Sequence, residues 1–192
     1  MTVLHSILRL QHLAISVFLI GFWSAGQSQS RFAIQEGTVS FVSDAPLEYI
    51  TAKSKALKGL IDINQRTFAF TIDISSFEGF NSPLQRVHFN ENYMESNTYP
   101  TATFAGKFIE DVDLTQNGTY EVRVKGKLKI HGIEKERIIK GTVVVADHEM
   151  HLSSAFTVLL EDHNIRIPRV VFQKIAKVVT VEVEAQLSSD KT

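Results

Sequence analysis

Apolar and polar residues alternate strictly along several stretches of the chain. Over residues 120–131 every even position is apolar or small and every odd position is polar. The same period of two runs over residues 67–75 and 179–187. Because successive side chains of a β-strand point to opposite faces, each stretch predicts a strand with one buried and one solvated face.

Further runs rich in β-branched and aromatic residues extend this prediction to eight or nine strands. They occupy residues 38–43, 47–53, 57–63, 101–110, 135–146 and 149–160. Short turn sequences separate them, such as Asn117-Gly118, which suits a turn with positive φ. Connections this short predict antiparallel neighbours. Residues 83–96 and 168–177 break the alternation and predict short helices, because their apolar residues fall three or four apart.

The pattern predicts an all-β domain, an extended eight-stranded antiparallel β-barrel with short helical insertions. Antiparallel strands with one apolar face must close into a barrel or stack as two sheets. The stretch at 120–131 would extend about 40 Å, at about 3.4 Å per residue, whereas a typical strand has about five or six residues. This length favours a barrel, whose interior holds side chains or one small ligand.

Residues 1–30 have a different character. Eleven almost wholly apolar residues, 13–23, follow a short region with Arg9 as its cation and precede a small and polar run. Eleven residues rise only about 16 Å as a helix, whereas a bilayer core needs about 20 residues. The segment therefore predicts a secretory signal peptide over residues 1–26, cleaved between 26 and 30. We expect export to the periplasm or beyond, with no transmembrane span in the mature chain.

Composition narrows the chemistry that the chain can perform. A net charge of -1 over 192 residues gives no basic field for nucleic acid, and the chain has no Cys for thiol catalysis or disulfides. It also lacks a nucleophile elbow, a zinc-binding His pair on a helix and a phosphate loop. We therefore expect a protein that is not an enzyme, with no catalytic residues, no metal and no cofactor.

Polar side chains near the predicted strand ends have two readings each. His88, Glu91 and Glu95 would share a helix face, which we expect to be solvated, with a metal or head-group site as the alternative. His131 is expected to make a hydrogen bond at a turn, with a ligand contact as the alternative. The row of Lys125, Lys127 and Lys129 indicates a solvated sheet face, with a pyrophosphate site as its alternative.

Five segments, taken in order, resemble the YceI-like family over about residues 31–187. Its most recognisable signatures are Tyr99-Pro100 followed by Phe104, and the run from Gly126 to Gly132. The segments are TVSFVS at 38–43, KALKGLID at 55–62, VHFNENYMESNTYPTATFAGKF at 87–108, GKLKIHGIEK at 126–135 and FTVLLEDHNIRIPRVVFQKIAKVVTVEVE at 156–184. The resemblance implies an exported, lipocalin-like barrel that holds a long isoprenoid or similar lipid in an apolar tunnel. Two elements depart from the family pattern, residues 86–89 and 162–168, and we expect them at the tunnel mouth or lid.

The predicted ligand is bound by apolar surface alone, so its contacts are the inward-facing aromatic and branched residues. Plain core packing is the alternative role for each of them. The candidate lining residues are Phe41, Phe70, Ile72, Phe89, Tyr93, Phe104, Phe108, Leu128, Ile130, Phe156 and Phe172.

Two other classes of protein share parts of this pattern. A small outer-membrane β-barrel also has a signal peptide and alternating strands, but residues 31–192 hold no Trp and only four Tyr, too few for two aromatic girdles. A structural or protein-binding β module without ligand would need an exposed apolar patch or a free edge strand. A homodimer is compatible both with the lipid-binding barrel and with the structural module.

Overall fold

Nine antiparallel strands build the domain. The computed structural model describes residues 31–147 and 149–189, so the predicted signal peptide lies outside the described residues. The strands are β1 (Arg31–Ala45), β2 (Glu48–Ser54), β3 (Lys58–Asp62), β4 (Thr67–Asp73), β5 (Thr101–Phe108), β6 (Gly118–Ile130), β7 (Ile133–Ala146), β8 (Glu149–Leu159) and β9 (Val178–Ser189).

The strands close into a barrel with eight positions, as the alternation predicted. Strand β9 pairs with β1 from Phe32 and Ser189 to Val42 and Thr180, which joins the two edges of the sheet. Strands β2 and β3 lie end to end along β1 and together fill one of the eight positions. Both pair with β1 in a single register, in which Val39 opposes Ser54 and Arg31 opposes Asp62. Residues 55–57 interrupt that position, and Leu57 turns inward there against Gly37.

Each long strand buries the face that the sequence pattern assigns to the interior. On β6, Val122 and Leu128 are buried, whereas the lysines between them are exposed. Lys125 and Lys127 form ion pairs with Glu136 and Glu134 of β7, at 3.0 Å and 2.8 Å. The charged row is thus a solvated outer face of the barrel.

The two ends of the barrel differ. One end, which we call the closed end, is filled by Phe68, Phe108, Val143 and Leu187 and is plugged by Leu114 from the connection between β5 and β6. The other, which we call the open end, carries the β1–β2 turn, the β6–β7 turn and two long connections. These are residues 74–99 between β4 and β5, called the cap here, and residues 160–177 between β8 and β9, called the strap here.

The cap contains helical structure within residues 83–96, where one or two short helices were predicted, and it falls into two parts. Helix α1 (Pro83–His88) starts at Ser82, whose hydroxyl accepts a hydrogen bond from the Gln85 N–H at 3.2 Å, and Pro83 suits the first helical position. From Phe89 to Tyr93 the backbone widens into a π turn, closed by the Met94 N–H on the Phe89 carbonyl at 2.9 Å. The wider turn changes the phase of the side chains, so the predicted face of His88, Glu91 and Glu95 does not form.

The strap contains two 3-10 turns, at Leu160–His163 and at Arg169–Val171. The second covers three residues of the short helical turn predicted over 168–177. Its neighbours are held as loop by hydrogen bonds to the β1–β2 region: the Leu47 N–H donates to the Gln173 carbonyl, and the Ala176 N–H donates to the Ser43 hydroxyl, both at 2.9 Å. These tertiary bonds replace the helical ones.

Among the helices of the described residues, all are too short or too polar to cross a bilayer.

Candidate functional site

An apolar cavity of about 510 Å³ occupies the open end of the barrel. Its wall comes from inward side chains of the strands, from the cap and from the strap. The lining residues that are exposed are Ser82, Leu84, His88 and Lys174, all from the cap or the strap. The cavity therefore opens to solvent between α1 and the strap, and its deep part lies inside the barrel.

Nine of the eleven candidate lining residues lie on this cavity wall. They are Phe41, Phe70, Ile72, Phe89, Tyr93, Phe104, Leu128, Ile130 and Phe156. The pairings explain why strand residues far apart in sequence meet here: Phe104 opposes Phe70 on one side and Leu128 on the other. Phe156 opposes Val181 of β9, which also lines the cavity.

The other two candidates lie elsewhere. Phe108 is buried at the closed end, with its ring edge-on to Phe68 at 6.2 Å between centroids. Phe108 follows Phe104 on the same face of β5, but four residues along a strand move it about 13 Å away from the open end. Phe172 lies in the strap and is 61% exposed, because that segment is a loop whose Val171 and Ile175 turn inward instead.

Four phenylalanine rings pack together where the cap meets β1. The Phe41 ring stacks on Phe89 at 5.5 Å between centroids and contacts Phe77 and Phe80 at 5.6 Å and 6.1 Å. Such aromatic contacts add to the free energy of area burial. The cluster fixes the cap over the cavity, and its ring faces form part of the cavity wall.

Sequence reasoning identified Phe89 and Tyr93 of the cap but missed several other lining residues from the cap and the strap. Phe77 and Phe80 stand in a Ser-, Gly- and Asn-rich segment that breaks the alternation, and Met94, Ile165 and Ile175 lie in other irregular segments. Apolar residues in a sequence with loop composition were the available signal, since such side chains need a surface to pack against.

Polar groups of the cavity concentrate at its mouth. The Gln85 amide donates to the Glu48 carboxylate at 2.8 Å, which ties α1 to the start of β2. The Asn81 amide donates to the Tyr49 carbonyl at 2.9 Å, a second link between the cap and β2. Both elements that depart from the family pattern, residues 86–89 and 162–168, belong to this open end.

A smaller polar recess adjoins the cavity at the β6–β7 turn. Its wall includes Glu95, His131, Asn164 and Arg166. The His131 Nδ1–H donates to the His163 carbonyl at 3.0 Å, which is the turn hydrogen bond expected for this residue, and its Nε2 lies 3.5 Å from the Glu95 carboxylate. Tyr93 lines both spaces, and burial raises the pKa of its hydroxyl.

His163 holds the strap against the same turn from inside. Its side chain is fully buried, and its Nδ1–H donates to the Ile133 carbonyl at 3.1 Å, while Nε2 has no hydrogen-bond partner in the described residues. Burial lowers the pKa of the imidazole, because protonation would place a positive charge and an unpaired Nε2–H in the interior. His163 is therefore a neutral structural residue.

Acid, base and metal chemistry has little support in this geometry. The cavity wall is aromatic and aliphatic up to its mouth, and no cluster of three or more metal-ligating side chains occurs among residues 31–147 and 149–189. The cavity thus presents an apolar surface, with polar groups at its open end.

Taken together, the strands and the cavity define an eight-stranded, lipocalin-like barrel with an apolar cavity at one end. The YceI-like domain matches residues 16–187, and the chain therefore belongs to the YceI-like family. Curated proteins, by contrast, include no significant match to the sequence.

Solved structures share the fold at low sequence identity. A polyisoprenoid-binding domain from Saccharophagus degradans, implicated in plant cell wall breakdown, superposes with a TM-score of 0.70 at 15% identity, covering 83% of this chain and 98% of its own. BcnA of Burkholderia cenocepacia gives a TM-score of 0.65 at 18% identity, covering 78% and 95%. A YceI protein of Campylobacter jejuni gives 0.58 at 13% identity, covering 73% and 85%.

Proposed function

We propose that this protein binds a long isoprenoid or similar amphiphile, with the apolar chain inside the barrel and the polar end at the mouth. The observation that carries the proposal is the cavity of about 510 Å³, walled by aromatic and aliphatic side chains and open at one end. Its volume falls within the range of about 300–1,000 Å³ that is common for small-molecule sites. The relative from Saccharophagus degradans is a polyisoprenoid-binding domain, which supports the same ligand class here.

The size of the cavity makes apolar binding energetically plausible. Burying an apolar chain contributes about 0.8 kcal/mol per CH₂ group, so about twenty carbons contribute on the order of 16 kcal/mol before costs. Association and the ordering of a flexible chain consume a large part of that gain.

The barrel exterior supports a carrier in water over an outer-membrane barrel. The odd positions of β6 hold lysines that are ion-paired with glutamates of β7, such as Lys125 with Glu136. Charges at this density on the outer face would be costly against lipid hydrocarbon. The outward face of β9 likewise presents Glu182 and Glu184.

The proposal also holds that the protein is exported and that it binds its ligand without changing it chemically. The apolar stretch at 13–23 supports a secretory signal and hence a periplasmic or secreted carrier. The scarcity of polar side chains deep in the cavity supports binding without chemical change, since catalysis needs polar groups at the reacting atoms.

Native mass spectrometry of the protein purified from its own host tests this proposal. The expected result is a discrete mass excess that organic extraction removes and that proves to be a compound with a long apolar chain. A matched sample carrying Leu128→Glu should lose the excess, because a carboxylate inside the cavity is unpaired and must be desolvated or protonated. Protein with no bound compound, or with a bound compound that is fully polar, would refute the ligand class.

A further inference from the structure

Exposed apolar side chains gather around the mouth of the cavity. Of the eleven large apolar residues that are exposed in the described part of the chain, seven lie at the open end. Val170 is 90% exposed, Leu47 is 66% exposed, and Leu84 and Phe172 are each 61% exposed. The seven are Leu47, Tyr49, Leu84, Val87, Val170, Phe172 and Val178.

Hydrogen bonds hold the three segments that carry these residues together. The Leu47 N–H bonds to Gln173 of the strap, and Glu48 bonds to Gln85 of α1. The apolar side chains are therefore the tips of one assembled surface, which we call the mouth rim. Exposed apolar side chains that gather on one side of a protein mark an interaction site.

The exposed apolar residues of the strap lie in a locally basic segment. Residues 163–177 contain four cations, Arg166, Arg169, Lys174 and Lys177, and no carboxylate. All four are exposed, and none forms an ion pair with another described residue. Carboxylates of the open end lie outside this segment, at the start of the strap (Glu161 and Asp162) and on the β1–β2 hairpin (Asp44 and Glu48). Attraction to an anionic surface would thus be local to residues 166–177.

From this placement we infer that the mouth rim docks on an anionic lipid bilayer. Val170 and Phe172 insert between head groups, and the strap cations contact lipid phosphates. Apolar tips combined with basic residues are the pattern by which proteins bind a membrane interface. In this orientation the mouth faces the bilayer, so an apolar chain passes between cavity and membrane without crossing water. Docking goes beyond ligand binding itself, and it can occur with the cavity filled or empty.

A second copy of the chain fits the rim less well. In a two-fold symmetric dimer the same patch occupies both sides of the interface, so a dimer centred on Val170 and Phe172 would bring two sets of strap cations close together. An anionic bilayer has the complementary charge and adapts its shape to separate apolar tips.

Vesicle flotation tests the inference with the parent chain and two matched pairs of variants. Vesicles of phosphatidylcholine alone are compared with vesicles that also contain phosphatidylglycerol, at low and high salt. The rim variants are Val170→Ser with Phe172→Ser, and Arg169→Glu with Lys177→Glu. The controls are Ile138→Ser with Val144→Ser, and Lys107→Glu with Lys140→Glu, which change two exposed apolar residues and two cations on the outer face of the barrel. Residues 1–30 are the same in every sample, so their contribution cancels.

We expect the parent chain to float with phosphatidylglycerol vesicles at low salt and to be released by salt. Each rim variant should bind at least tenfold more weakly, whereas the controls match the parent and all melt at similar temperatures. Binding that is equal in rim and control variants, or no preference for anionic vesicles, would overturn the inference. So would self-association of the parent that the rim variants abolish without vesicle binding. Because the readout is flotation, its failure leaves the mass excess of the ligand-bound protein as a separate question.

Discussion

Gly106 and Gly126 face each other directly across β5 and β6. A methyl group added to Gly106 would stand 2.5 Å from the Gly126 Cα, and one added to Gly126 would stand 2.5 Å from the Ala105 carbonyl oxygen. Carbon atoms pack at about 3.5–4.0 Å, so the strands approach this closely only because both side chains are missing. The ring of Phe104, on the cavity wall, covers Gly126. The glycine pair thus positions one side of the cavity.

Replacing Gly126 with Ala should destabilise the barrel. The added methyl meets backbone as well as the Phe104 ring, so the strands must separate, at a cost of at least about 1–3 kcal/mol. Urea unfolding measures the change. Gly118→Ala is the control in the same strand, because its methyl meets only the movable Tyr120 ring, at 3.2–3.3 Å. Equal losses in the two variants would show that the close approach has no special role.

His163 should make stability depend on pH below neutrality. Its pKa is lowered by burial, with Asp162 and Lys135 as the nearby charges. The unfolded chain therefore binds a proton that the folded chain does not, so stability falls as pH drops below about 6.5, by up to about 1.4 kcal/mol per unit. Urea unfolding between pH 7 and pH 5 checks this for the parent, His163→Gln and His151→Gln.

The matched variant at His151 separates the two histidines. His151 is half-exposed on β8 and contacts Glu184 at 2.9 Å. His163→Gln should remove most of the loss of stability below pH 6.5, and His151→Gln controls for the removal of an imidazole that is not buried. A profile unchanged by His163→Gln contradicts the assignment.

The ionised carboxylate of Asp62, at the closed end of the barrel, should stabilise the fold at neutral pH but not in acid. Its carboxylate accepts the Gln65 N–H at 2.9 Å and the Arg31 Nε–H at 3.3 Å, and the Gln65 bond is the main cause that lowers its pKa. This stabilisation is complete above the ordinary pKa of 3.8 and is lost as pH falls through the lower folded value. Asp62→Ala leaves the Gln65 N–H without its acceptor and should cost about 1–3 kcal/mol at neutral pH.

Thermal unfolding of the parent and of Asp62→Ala from pH 7 to pH 2 tests the role of Asp62. The two curves should converge in acid. Curves that stay parallel would show that the Asp62 carboxylate contributes nothing through its charge.

The strands were predictable because a half-buried strand leaves a direct imprint on sequence. Val122 and Leu128 alternate with charged residues over the whole of β6, and the structure confirms both the strand and its inward face. The sharing of one barrel position by β2 and β3 was not predictable, since residues 55–57 break the strand through the contact of Leu57 with Gly37.

The irregular segments were predicted less well because tertiary contacts decide them. The apolar spacing at 168–177 indicated a helix, but hydrogen bonds from Leu47 and Ala176 hold that segment as a loop. The same effect turned Phe172 outward and Val171 inward. Local pattern fixes which face of a strand is buried, but it does not determine how a loop folds over the barrel mouth.

Leu128 faces an open cavity rather than a filled core, and binding and melting measured together test this placement most directly. Leu128 is 5% exposed and lines the cavity, whereas Val143 is fully buried at the closed end. Delipidated parent, Leu128→Trp and Val143→Phe are titrated with one long-chain isoprenoid alcohol, and their melting temperatures are recorded. Leu128→Trp should bind at least tenfold more weakly and melt within about 2–4 °C of the parent. Val143→Phe should bind normally and melt lower, through overpacking of about 1–3 kcal/mol. Unchanged binding with a lowered melting temperature for Leu128→Trp would contradict the claim.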